Sequence, residues 1–552
     1  MGKKYMIGNT HFDPVWLWHW EDAMASIRAT FRSALDRMEE QPDFRYSFAT
    51  PPVFEWIRKT DPELFEQIRQ KVASGQWELA EGWWVQPDCY SASGESYARQ
   101  GLYGQRYLKE NFGVYAQTVF NIDSFGHSPM LPQILKKSGI DYYCFVRPEK
   151  KHIELPAPLF RWESKDGSAV LAYRARNAYA KDWRPSAEKQ TEQEDALIVY
   201  GVTDHGGAPT KESIRWICED PQAEFSTVSR FFEEHSPVHT VTRELLTGDF
   251  GVYANYSRIK KRNRMAEYAA LNAEKAGVIA GDYDAKALSD CWKDILFNQF
   301  HDILGGASIK DAYVHAEDML GRAIATANEH MHFSLQSVTR KIQMPGKNPD
   351  TKWNIVVWNL NTKPYEGLVE AEVQWVHEFD WYAEGIRLED EEGVVYPCQI
   401  IREKSVIPGF RSRFAFHAKI PAVGYKVFKL VQTEEPVVKR TVDTGRIQTD
   451  RLTVTFSPET GCIESVVDRL TGQSLSGSTL VPVCYTDNGD TWAFNIQGYE
   501  DDARHFTFEG FQVIESGQLL TEIKGTTGLG IPLWKCTTGS MQMRPILMCA
   551  TG

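Results

Sequence analysis

The sequence predicts a multidomain chain: an α/β domain, then a three-helix segment, then an all-β region. Three observations predict it. Over roughly the first 250 residues, short apolar runs alternate with amphipathic helical stretches. From 258 to 343 helical spacing continues with few breakers. After a polar break, MPGKNPDTK (344–352), the chain becomes strand-rich, with turns of Gly, Pro, Asn and Asp. At 552 residues the chain is too long for one core, so several domains are expected, at 1–257, 258–343 and 350–552.

The elements justify this division in order. Seven runs read as strands: 4–10, 45–50, 77–83, 118–123, 142–146, 170–174 and 196–202. Stretches 25–38, 62–73 and 94–110 between them are amphipathic helices, so the strands are expected to be parallel, in a barrel or a doubly wound sheet. The segment 257–280 gives one helix, 287–304 a second and 307–342 a third, the last entered through Ser308 and Asp311 just after Gly305-Gly306. Beyond the polar break, NIVVWNL, GLVEAEVQWV, SRFAFHAKI, YKVFKLV, RLTVTFS and HFTFEGFQVI read as strands of a β-sandwich. The terminal MQMRPILMCATG brings no closing element, so the sandwich is expected to be incomplete as given.

Composition excludes several classes. The formal net charge of -13 disfavours nucleic acid and anionic membrane surfaces as partners. No apolar run approaches the ~20 residues of a transmembrane helix. The start MGKKYMIGNTHFD has no secretory apolar region, and Met6 breaks the myristoylation pattern. Nine cysteines are scattered, odd in number and without CxxC pairs, which fits reduced thiols in the cytoplasm better than disulfides or a thiolate metal site. Self-association is left open, with no residue arguing for it.

Four stretches carry candidate chemistry. In HFDPVWLW (11–18), His11 and Asp13 follow the first strand and, two apart, point to one side. Imidazole plus carboxylate at a strand end suits a metal such as zinc. Read alone, the pair is equally a loop histidine with Asp13 opening a turn before Pro14. In NIDSFGHSP (121–129), Asp123 ends another strand, where a lone Asp is frequently a helix cap. In FNQFHDILGG (297–306), His301 and Asp302 end an apolar helical run, where a histidine often just meets the helix dipole. In VYGVTDHGGAPT (199–210), Asp204 follows a strand and precedes glycines, without the Lys-Ser/Thr of a phosphate loop. Together they place two His and several Asp at strand ends and on one helix, a set that supports glycoside hydrolysis or metal-assisted hydrolysis of an amide or ester.

These four motifs, in this order and spacing, resemble glycoside hydrolase family 38, the α-mannosidases. The resemblance covers nearly the whole chain and implies an α/β barrel of the seven-stranded type, a three-helix bundle and β domains. It implies one Zn2+ held by His11, Asp13, Asp123 and His301, with Asp123 doubling as the nucleophile of a retaining mechanism. Trp16 matches an aromatic platform under the sugar, Phe125 a neighbouring wall and Asp302 a carboxylate for sugar hydroxyls. Arg147 falls where an arginine keeps the nucleophile ionised. Asp204 is the candidate acid/base, although His205 stands where some members have a second carboxylate; Asp88 is the fallback, and reads more simply as a turn residue after Pro87. A retaining enzyme needs its two carboxyls about 5–5.5 Å apart, one of them protonated at the start. The expected substrate is a mannose-containing oligosaccharide or glycoside, mannosylglycerate included. Two alternatives stand beside it: a metal-dependent sugar deacetylase or amidohydrolase, and a carbohydrate-binding protein with an inactive site. Within HFDPVWLW, Phe12, Leu17 and Trp18 are expected to pack and hold the others still.

Overall fold

The computed structural model describes residues 2–537 apart from 176–193, 203, 247–248, 345–350, 375–384, 405, 407–410, 434–441, 450, 480–482, 485–488, 494–503 and 528–531. Most of the polar break and the terminal MQMRPILMCATG therefore lie outside the described residues. The chain divides into two compact units. One holds residues 1–335 together with 489–496; the other holds 336–488 and 497–552.

In the first unit, strand Lys4–Asn9 pairs in parallel with Ala196–Tyr200, Ala223–Phe225 and Tyr46–Ser47, and Tyr46–Ser47 with Trp77–Glu78. A second five-stranded sheet pairs Thr118–Phe120, Tyr142–Phe145 and Ala169–Arg174 in parallel. Its strand Leu159–Glu163 runs antiparallel. A single bridge, Glu81 to Val119, links strand segments of the two sheets. The seven runs read as strands are all present, as parallel α/β architecture. Among the described residues they lie in two sheets, joined by the Glu81–Val119 bridge. Several strands, such as Tyr46–Ser47 and Trp77–Glu78, are only two residues long.

The helices follow local rules. Asp61 accepts from Leu64 N–H and Ser93 from Ser96 N–H, capping Pro62–Ala73 and Gly94–Phe112. The latter ends on Gly113 in the left-handed region (φ 81). Helix Pro51–Thr60 is not among the helices expected; its two prolines occupy the first turn, where no N–H is needed. Three long helices follow, Ser257–Ala280, Ala285–Phe297 and Lys310–Thr339, and Ala269, Ala273, Leu288 and Ala327 make one small apolar cluster from all three. The second stops at Phe297, seven residues short of expectation; His301–Leu304 is a separate turn.

The second unit is antiparallel β. Thr351–Asn359, Gly424–Gln432, Ile386–Asp390, Val395–Ile401, Arg411–Ile420 and Tyr365–Gln374 form one six-stranded sheet in that order, around a core that includes Leu388, Phe414, Phe416, Phe428 and Leu430. Four-stranded and three-stranded sheets accompany it, in a region expected to be a β-sandwich. One turn there gives a testable pH effect. The buried Asp390 accepts from Val394 N–H (2.8 Å), Tyr396 hydroxyl (2.9 Å) and Lys426 Nζ (2.8 Å). Burial opposes its charge, but Lys426 and these donors draw its pKa down to about 2. Its contribution is therefore complete above the unfolded value of about 4 and fades as pH falls toward 2. Asp390→Asn is expected to cost about 1.5–3 kcal/mol at pH 7, and in denaturant titrations the gap from the parent should close between about pH 4 and pH 2. A gap that stays constant with pH would show that the charge contributes nothing.

Candidate metal centre and pocket

The first strand ends at Asn9, and His11 and Asp13 lie just beyond it. Phe12 bridges to His205, and Asp13 N–H donates to Asp204 O (2.8 Å), so the Asp204 turn is pinned onto the first motif. The approach is close: a Cβ on Gly201 (φ 143) would fall 1.8 Å from Asn9 O, so only glycine fits. Asp204 itself has φ 63, a conformation non-glycine residues rarely hold. Trp18 Nε1 donates to Asp13 O (2.9 Å), and its ring lies 4.2 Å from that of His205. Trp18 therefore holds the turn as expected. Leu17 does not: it is 56% exposed and corrects the expectation that it packs.

Asp123 lies three residues after strand Thr118–Phe120. Asn121 N–H donates to Cys144 O (2.9 Å) and Ser124 Oγ to Asn121 Oδ1 (2.6 Å), shaping the loop that presents it. His301 arrives through the helix break. Phe300 bridges to Pro87, and the His301 ring donates from Nδ1 to Gln86 O (3.0 Å). A carbonyl can only accept, so Nδ1 carries the proton and Nε2 offers its lone pair inward. A histidine at the end of an unbroken helix would not have this partner.

The structure brings His11, Asp13, Asp123 and His301 together. One ligand atom from each lies within 4.8 Å of the others. His11 Nε2 is 2.8 Å from Asp13 Oδ1 and 3.3 Å from Asp123 Oδ2; His301 Nε2 is 3.4 Å from Asp123 Oδ2. Asp13 Oδ1 and His301 Nε2 are buried and make no hydrogen bond, although charges stand close. Atoms that converge without donating to one another have the arrangement of ligands around a cation. Two imidazoles and two carboxylates, one of the imidazoles fixed by a backbone carbonyl, fit a divalent metal ion.

Above the cluster is a pocket of about 250 Å³, lined by Asp13, Trp16, Asp123, Phe125, Arg147, Asp204 and Asp302, among others. Every candidate site residue thus lies in the cluster or on this lining. Arg147 reaches Asp123 Oδ1 at 3.2 Å and Asp249 Oδ2 at 3.9 Å. Burial opposes the charge of Asp123, but Arg147 and the two imidazoles outweigh it and hold its carboxyl well below the usual range. Burial pushes the Asp302 carboxyl well above the usual range, and the nearby Asp13 and Asp123 add to the push against the opposing His301. The fallback Asp88 is not on the lining. Its Oδ1 accepts from Tyr90 and Ser91 N–H (2.9 and 2.6 Å), so it is the turn residue that its position after Pro87 suggests.

Sequence reasoning missed Asp249, Asp490 and Trp492. The last two come from 489–496, read only as a turn between strands, yet they line the pocket of the first unit. Gly251 N–H donates to Trp492 O (3.2 Å) and Asn255 Nδ2 to Thr491 O (2.8 Å). The Trp492 ring sits edge-on to Trp16 at 6.2 Å. No local pattern marks the segment; only Trp492, isolated among turn residues, hinted at a role other than core.

Residues 1–255 match the glycosyl hydrolases family 38 N-terminal domain, and residues 250–338 the alpha mannosidase middle domain. The chain belongs to glycoside hydrolase family 38. Among its relatives are Alpha-mannosidase G of Dictyostelium discoideum, 30% identical over 57% of this chain and 31% of the relative, and Alpha-mannosidase of Saccharomyces cerevisiae, 28% identical over 56% and 32%. The match thus spans about a third of those relatives' length. An alpha-mannosidase from Enterococcus faecalis V583 shares the fold with a TM-score of 0.78 at 18% identity, covering 95% of this chain and 67% of that one.

Proposed function

We propose that this chain carries the catalytic machinery of a zinc-dependent, retaining α-mannosidase, with residues 1–257 as its catalytic domain. The observation that carries the reading is the buried His11, Asp13, Asp123 and His301 cluster at the floor of a pocket in which Asp123 is also paired with Arg147. The alpha-mannosidase names of the relatives support the choice of sugar. The six described cysteines that are free thiols support a cytoplasmic setting.

In this reading the mannose ring rests on Trp16, with Phe125 beside it. When bound, Zn2+ supplies a Lewis-acid anchor for sugar hydroxyls. Asp123, kept ionised by Arg147, attacks the anomeric carbon and forms a glycosyl ester as the aglycone leaves. Asp204 donates a proton to the departing oxygen and then takes one from the incoming water. Asp302, on the pocket lining beside the cluster, hydrogen-bonds the ring hydroxyls. The test is a 2-fluoro mannosyl probe followed by peptide mass analysis. The proposal expects an adduct on Asp123. No adduct, together with acetate release from an N-acetylated sugar, would turn the reading to a sugar deacetylase.

The Asp204 role has its own check. Asp204→Ala should slow an unactivated mannoside about 10²–10⁴-fold, and a dinitrophenyl mannoside, whose leaving group needs no proton, far less. Equal losses on both would remove Asp204 from proton transfer.

A further inference from the structure

A second cavity, of about 710 Å³, lies among helix Pro51–Thr60, helix Ala285–Phe297, helix Lys310–Thr339 and the start of helix Trp20–Glu40. It exceeds the first pocket and falls within the size range of small-molecule sites, about 300–1,000 Å³. Three tryptophans line it: Trp20, Trp56 and Trp84. Trp20 and Trp56 are 5.7 Å apart with planes inclined 46°, and both are only half-buried. Lys293 Nζ stands 5.3 Å from the Trp84 ring.

Two further features indicate what such walls would take. The lining carries four carboxylates and four Lys or Arg, so it selects for no net charge. Much of that charge is already paired: Lys286 with Asp290 at 2.8 Å, Arg322 with Asp294 through two hydrogen bonds of 2.9 Å. A phosphate or nucleic acid would need an excess of cations. An apolar helix would need a rim with fewer charges. The second feature is the pair of half-buried aromatic faces offered by Trp20 and Trp56. A hexopyranose meets both features. It is neutral, offers an apolar C–H face to an aromatic ring, and its hydroxyls match a rim of carboxylates and ammonium groups.

We infer that this cavity is a second carbohydrate site, separate from the catalytic pocket, that holds one segment of a longer glycan. The choice of a mannose polymer as probe rests on the proposed α-mannosidase reading. The test is native gel retention by soluble yeast mannan in an Asp123→Ala background, which binds without turnover. Two changes are compared: Trp56→Ala, which removes a platform, and Thr326→Trp, which fills the cavity from a half-exposed position and leaves the core intact. Both should weaken retention at least threefold, while in the parent background aryl mannoside turnover stays within twofold. Retention unchanged by Thr326→Trp overturns the site, even if Trp56→Ala fails to fold. A shift from dimer to monomer with retention unchanged also overturns it, by making the cavity an interface between copies. Cavity-dependent retention without any aryl mannoside turnover supports the site while sinking the hydrolase reading.

Discussion

Asp123→Ala is expected to lower aryl α-mannoside turnover by about 10⁴-fold or more. The size follows from one side chain serving three contacts. Its carboxylate faces His11 at 3.3 Å, His301 at 3.4 Å and Arg147 at 3.2 Å. Removing it takes away the proposed nucleophile and a quarter of the candidate metal ligands, and leaves Asp249 3.9 Å from Arg147. Two measurements separate the parts. Metal analysis of the variant reports how much of the ion the other three residues retain. Azide, a nucleophile small enough to enter the vacated space, should restore some turnover and release a mannosyl azide of inverted configuration. A variant that keeps a tenth of parental activity would dismiss Asp123 as nucleophile.

The second large effect is expected from His301→Ala. It should abolish stoichiometric zinc binding and lose activity to the same degree as chelation does in the parent. The ring is buried and held from behind by the Gln86 carbonyl, and alanine leaves no ligand atom at its place. Stability gives an independent readout. A ligand present at 100 times its Kd stabilises the folded state by about 2.7 kcal/mol. Zinc should therefore raise the parent's unfolding temperature by several degrees and leave that of His301→Ala unmoved. An equal rise in both would place the ion elsewhere.

Much of this was legible in the sequence, for physical reasons that differ by part. Fully buried parallel strands such as Ala196–Tyr200 announce themselves as uninterrupted apolar runs. His11, Asp13, Asp123, Asp204 and His301 were visible because each directly follows such a run or precedes paired glycines. What escaped was set by distant contacts. The helix expected over 287–304 has the right periodicity throughout, and it breaks where 299–301 pairs with the distant segment 86–88. Pro51-Pro52 starts a helix or stops one depending on what the next turn packs against, and Val53, Phe54 and Ile57 pack into the main core. Trp492 lies nearly five hundred residues from Trp16, beyond the reach of any spacing argument.

The return of residues 489–496 to the first unit bears on synthesis. Ribosomes deliver the chain from the N-terminus, and units tend to fold as they emerge. His11, Asp13, Asp123 and His301 are all available once the first 335 residues are out, so the metal cluster can assemble early. The wall bearing Asp490 and Trp492 is delivered only after some 150 further residues, most of them in the other unit. A nascent chain would therefore bring the four residues of the cluster together long before the Asp490 and Trp492 wall of the pocket exists.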